Sequence, residues 1–132
     1  MRQKRSRAGV TLIEMLVVVT IMGLFAALAT SNVVQKIEAA KVTKAAVQIE
    51  TFTTSLGSYK LDVGAYPTTE QGLKALWTKP DGVANWSGPY TLKEIPKDPW
   101  GHEYLYKHPG EHGDLPDMAC NGRPDIVSWR SR

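Results

Sequence analysis

Cysteine is nearly missing: Cys120 is the only one in 132 residues. No intramolecular disulfide can form, so the fold must hold without a staple. The three histidines, His102, His108 and His112, show no metal-ligand spacing with it. Acids are missing from the first nine positions, MRQKRSRAG, which carry Arg2, Lys4, Arg5 and Arg7. Charge is then almost missing from the next 21 residues, VTLIEMLVVVTIMGLFAALAT, whose one charged side chain is Glu14. Proline is missing from Thr30 to Leu61, where the only glycine is Gly57. Repeats and low-complexity tracts are missing throughout. The formal charge of +3 and a pI near 9.0 point to an acidic partner. Yet four cations sit in the first nine residues, and the remaining side chains sum to −1. The basicity belongs to the N-terminal leader, where it holds that end on the cytoplasmic side of a membrane. A nucleic-acid role loses its support.

What is present begins with the apolar run 10–30. About 20 apolar residues span a bilayer core as a helix. A carboxylate inside such a span costs roughly 2.5–3.5 kcal/mol, so Glu14 is a functional candidate that needs a partner. In an ordinary secretory signal the small-residue cleavage site follows the apolar region, which is then discarded. Here Gly9 precedes it. A cut after Gly9 removes only the leader (1–9), keeps the helix, and makes Val10 a new terminus with Glu14 as its fifth residue. An α-amino group then becomes the available cation. The plainer alternative is a signal anchor with a stray glutamate.

The helix continues beyond the membrane. Ala45, Ile49, Phe52, Leu56 and Tyr59 recur at steps of four and three, the period of one helical face. Joined to the apolar run, this gives one helix of about 50 residues, roughly 75 Å long. The chain thus divides into a leader (1–9), a membrane and assembly segment (10–30), the outer half of the helix (31–64) and a head (65–132). Gly64 and Pro67 end the helix. Thr68 and Gln71 fit a capping box before a short helix with Leu73, Leu76 and Trp77 on one side. Strands are expected at Tyr90–Ile95, Glu103–Lys107 and Asp125–Trp129, with a type I turn at Asp98-Pro99-Trp100-Gly101. The class is α+β: a long N-terminal helix packed on a small three-stranded antiparallel sheet that buries much of Trp100, Trp129 and the tyrosines. No nucleophile–base set stands out. Asp98 beside His102 reads as a cap for turn amides or, alternatively, a general base. Cys120 reads as a small turn residue or, alternatively, a nucleophile.

The segment AGVTLIEMLVVV resembles the type IV prepilin class, with Val10 where phenylalanine is commoner. YPTTEQGLKALWTKP, GPYTLKEIPKDPWGHEYLYKHPGEHG and DIVSW resemble the major pseudopilin family of the type II secretion system, protein G of the general secretion pathway. The likeness covers nearly the whole chain. It implies a non-enzymatic scaffold that polymerises into a periplasmic pseudopilus and supports export of folded proteins across the outer membrane. It also implies a prepilin peptidase that cuts between Gly9 and Val10 and N-methylates Val10, with Glu14 as the assembly residue. The implied partners are further copies of the chain, minor pseudopilins, the inner-membrane secretion platform and lipid; the implied location is the inner membrane with the head in the periplasm. A minor pseudopilin, a type IV pilin for adhesion, motility or DNA uptake, and a signal-anchored periplasmic enzyme or binding domain are the competing readings. The family implies calcium in the loop before the last strand. This chain departs there: its loop reads Met118-Ala119-Cys120-Asn121-Gly122-Arg123-Pro124-Asp125, without the family's acidic run. Asn121 and Asp125 are the remaining weak ligands, with Asp117 nearby, where calcium takes six to eight oxygens. The expectation is a cofactor-free loop braced by Pro124 and an Arg123 contact.

Overall fold

The computed structural model describes residues 9–130, without the side chains of residues 29–32. Residues 1–8, with the four leader cations, lie outside the described residues. The elements are α1 (Leu12–Val63), a 3₁₀ turn (Leu73–Leu76), β1 (Tyr104–Lys107), β2 (Asp117–Cys120) and β3 (Arg123–Val127). The chain forms two compact units, one ending at Glu38 and one from Ala39 onward.

In the first unit every residue from Gly9 to Leu28 is exposed. The helix is long and apolar enough to cross a membrane, with an 18-residue window of mean hydropathy 2.5. Among the described residues nothing covers this surface.

In the second unit the helical stripe is the core. Ala45, Ile49, Phe52, Leu56 and Tyr59 are all at least 96% buried. They meet Leu73, Ala75 and Leu76 of the 3₁₀ turn and Met118, Cys120 and Ile126 of the sheet. Burying a side chain the size of leucine or phenylalanine contributes about 1.5–3 kcal/mol, so the stripe alone fixes which face the head covers. Phe52 packs edge-on against Tyr104 at 5.2 Å, and Tyr59 against Tyr90 at 5.5 Å. The helix stops where Gly64 turns to φ 93° and donates its N–H to the Lys60 carbonyl. A left-handed residue at this place terminates helices because only glycine adopts it without a Cβ clash.

The Thr68–Gln71 box forms with both reciprocal hydrogen bonds, at 2.9 and 3.2 Å. It closes a turn, and a single 3₁₀ turn follows in place of an α-helix. Leu73 and Leu76 are buried there, but Trp77 is 36% exposed and does not join them.

The sheet order is β1-β2-β3, antiparallel throughout, with Tyr104 opposite Cys120 and Lys107 opposite Asp117. The described residues hold three strands, two of them close to expectation: Glu103–Lys107 is met by β1, and Asp125–Trp129 overlaps β3. Tyr90–Ile95 is irregular. The Tyr90 N–H donates to the Leu76 carbonyl at 2.7 Å, and its own carbonyl accepts from the Ser55 hydroxyl at 2.9 Å. Both backbone groups are therefore spent on other elements instead of a ladder. β2 lies inside the stretch read as a loop. All four of its residues are buried, so it lacks the alternation that marks a half-exposed strand. β3 begins two residues earlier than expected. Its register against β2 shifts between Ala119 and Cys120, so residues around Pro124 bulge out of the ladder. Proline has no N–H to give, which suits a bulge. Tyr59 is buried, whereas Trp100, Trp129 and the other tyrosines are half-buried.

Candidate functional site

Two places gather the residues singled out by sequence. The first is the start of α1. Gly9 and Val10 precede the helix and are exposed, and among the described residues nothing lies within 4 Å of where a Cβ on Gly9 would stand. Thr11 caps the helix: its hydroxyl accepts the Glu14 N–H at 3.3 Å, and its carbonyl accepts the Met15 N–H at 3.3 Å. Glu14 thus occupies the third helical position, where a carboxylate meets the positive end of the helix dipole. Thr11-x-x-Glu14 has the spacing of a capping box, a signal that the sequence offered and the reading above missed. Gly9, Val10 and Glu14 therefore lie together on one exposed helix start, beside an uncovered apolar face.

The second place is the turn of Asp98 against the β2–β3 hairpin. The Gly101 N–H returns to the Asp98 carbonyl at 2.9 Å, closing the expected turn. The Asp98 carboxylate is buried and fully engaged. Oδ1 accepts the Trp100 N–H at 3.0 Å and the His102 N–H at 2.8 Å. Oδ2 accepts the Gly122 N–H at 2.8 Å and the Cys120 thiol at 3.6 Å. Burial by itself would raise this carboxyl, but the His102, Gly122 and Trp100 amides outweigh it and hold it below its ordinary 3.8. The His102 ring stands 3.7 Å off and half exposed. Asp98 is a cap, as its turn suggested; the donations from Gly122 and Cys120 cross 24 and 22 residues and leave no local trace. Cys120 ends β2 instead of sitting in a turn. Its burial, then Asp98, push its thiol up to about 12, which removes thiolate nucleophilicity near neutral pH.

The calcium candidates stand in different settings. Asn121 is exposed. Both Asp125 oxygens are taken by the Arg123 fork, Nε–Oδ1 at 2.8 Å and Nη2–Oδ2 at 3.0 Å. The Arg123 guanidinium also lies 5.9 Å from the Trp100 ring centroid. Asp117 sits in β2, and its Oδ2 accepts the Glu111 and His112 amides at 2.7 and 3.2 Å and contacts the His112 ring at 2.8 Å. That ring stacks on Trp129 at 4.1 Å, a contact no sequence pattern announced. Among the described residues no group of three or more His, Cys, Asp or Glu is arranged to hold a metal ion. The donor set does not fit calcium.

The family model described as type II secretion system (T2SS), protein G, matches residues 32–127. This chain belongs to that family. A second model, the prokaryotic N-terminal methylation motif, matches residues 4–30. The chain is 44% identical to type II secretion system core protein G of Pseudomonas aeruginosa, over 96% of this chain and 98% of that one. It is 41% identical to the Vibrio cholerae protein of the same name, over 98% of this chain and 96% of that one. Its fold matches the crystal structure of the major pseudopilin from the type 2 secretion system of enterohaemorrhagic Escherichia coli. The TM-score is 0.64 at 31% identity, covering 74% of this chain and 90% of that one. The long helix and three-stranded antiparallel sheet are the pseudopilin architecture expected from sequence.

Proposed function

We propose that this protein G family member is the structural subunit of a type II secretion pseudopilus, polymerising through its N-terminal helix and supporting export of folded proteins. The observation that carries the reading is the exposed apolar start of α1, 62% exposed at Val10, 71% at Ile13 and 64% at Leu28. So large an apolar surface must be covered by lipid or by other copies. Before assembly the span rests in the inner membrane with the head in the periplasm; after assembly the same faces pack helix on helix.

Glu14 then has a defined task. In the bilayer its charge is costly. The α-amino group of Val10, freed by a prepilin peptidase that cuts after Gly9, supplies an opposite charge from a neighbouring copy. N-methylation of Val10 keeps that amine positive. We assign such a pair to setting register between subunits, since a buried ion pair is by itself weak evidence of added stability. Minor pseudopilins and the inner-membrane secretion platform complete the assembly. The role is scaffolding, without catalysis and without nucleic acid: Asp98 is committed to backbone donors and Cys120 is held as a thiol.

Intact-mass spectrometry of membrane-extracted protein tests the processing that this role requires. The expected chain begins at Val10 and carries one extra methyl group. In Gly9→Leu the leader should remain, because a bulky side chain blocks the close backbone approach that glycine permits. A Gly9→Leu chain beginning normally at Val10 would contradict the processing account.

A further inference from the structure

The loop that the family resemblance assigns to calcium is held by the chain's own charges. We infer that Arg123 and Asp98 together make the β2–β3 hairpin of this head independent of calcium. The inference stands apart from polymerisation, which requires only a folded head.

A calcium ion in such a loop neutralises carboxylates and ties separate backbone stretches through their oxygens. Both tasks are done differently here. Arg123 neutralises Asp125 through a forked pair of hydrogen bonds, the geometry that only a guanidinium provides. The same guanidinium faces Trp100, so the cation reaches the neighbouring turn as well. Asp98 does the tying, with the polarity reversed. A metal gathers oxygens around a positive centre, whereas the Asp98 carboxylate gathers N–H and S–H donors around a negative one. Gly122 and Cys120 of the hairpin and Trp100 and His102 of the turn all converge on it. Donors aimed at the carboxylate would repel a metal ion in the same position. Space is also closed: a Cβ on Gly122 would stand 2.7 Å from the Trp100 Cβ and 3.0 Å from Asp98 Oδ2. The hairpin already sits against the turn as tightly as backbone allows.

The test uses the full processed chain in detergent, with calcium chloride and EGTA as the probes. Tryptophan fluorescence follows thermal unfolding, since Trp100 and Trp129 flank the hairpin. Equilibrium dialysis with radioactive calcium reads binding directly. The wild-type chain should melt at the same temperature in either buffer and retain no calcium. Arg123→Gln, at a half-exposed pair that the fold tolerates, should melt about 2–5 °C lower in both. Arg123→Lys should fall between, because a point charge cannot make the fork. A calcium-dependent rise in the wild-type melting temperature would overturn the inference, because a ligand specific for the folded state stabilises it by mass action. Bound calcium near one per chain would overturn it too, and so would an Arg123→Gln chain that melts like wild type.

Discussion

Asp98 joins two stretches of chain that are distant in sequence, and its charge is what lets it do so. Two of its donors belong to its own turn and two to the β2–β3 hairpin. Hydrogen bonds to an ionised group contribute about 1.5–3 kcal/mol, and Asp98→Asn replaces one accepting oxygen with a donor. The variant should lose at least that much in urea unfolding. The pH dependence follows from the depressed carboxyl. Stability from this group is fully present above its ordinary 3.8 and is lost as pH falls through the lower folded value. Asp117 acts in the same direction: burial would raise it, but the His112 ring and the Glu111 amide hold it low. Acidifying from about pH 6 to about pH 3 should therefore destabilise the wild type more than Asp98→Asn, which has one fewer carboxylate to protonate. Equal acid losses in the two chains would remove Asp98 from this role.

The second half of α1 was legible as an element because its signal is local. The step of four and three from Ala45 to Tyr59 recurs over four turns, and each of the five residues is buried. Phe52→Ala tests how much this stripe holds. Phe52 is 1% exposed and packed against Tyr104, so truncation should cost about 3–5 kcal/mol by thermal or urea unfolding. Leu61→Ala, on the same helix but 86% exposed, should change stability by less than about 0.5 kcal/mol. The sheet was less legible, and the reasons are physical. Tyr90–Ile95 has strand-like residues, but its backbone partners are Leu76 and Ser55, which only the tertiary fold places within reach. β2 is buried on both faces and contains Asp117 and Cys120, so neither alternation nor strand preference marks it. The turn at Asp98 was readable from four adjacent residues. Its clamp on Gly122 was not, because the contact depends on how β2 and β3 pack.

The whole molecule assigns different duties to its two units. From Ala39 onward the chain has its own core; up to Glu38 the described apolar residues are exposed. The proposed role rests on this contrast, with Glu14 at the helix start as the single charged side chain of residues 10–30. Thr11 already caps the helix there, so Glu14 is not required for the helix to begin. Loss of the carboxylate should leave insertion, processing and the head intact. It should strand the neighbouring α-amino charge in an apolar layer, where opposite charges attract far more strongly than in water. The decisive measurement is electron microscopy of filaments from cells overproducing wild-type or Glu14→Ala chains at equal levels. Wild type should form pseudopili, while Glu14→Ala should be present in the inner membrane, cut at Gly9, folded in its head and without filaments. Normal filaments from Glu14→Ala would contradict the pairing of Glu14 with a neighbour's terminus and leave its charge without a role in assembly.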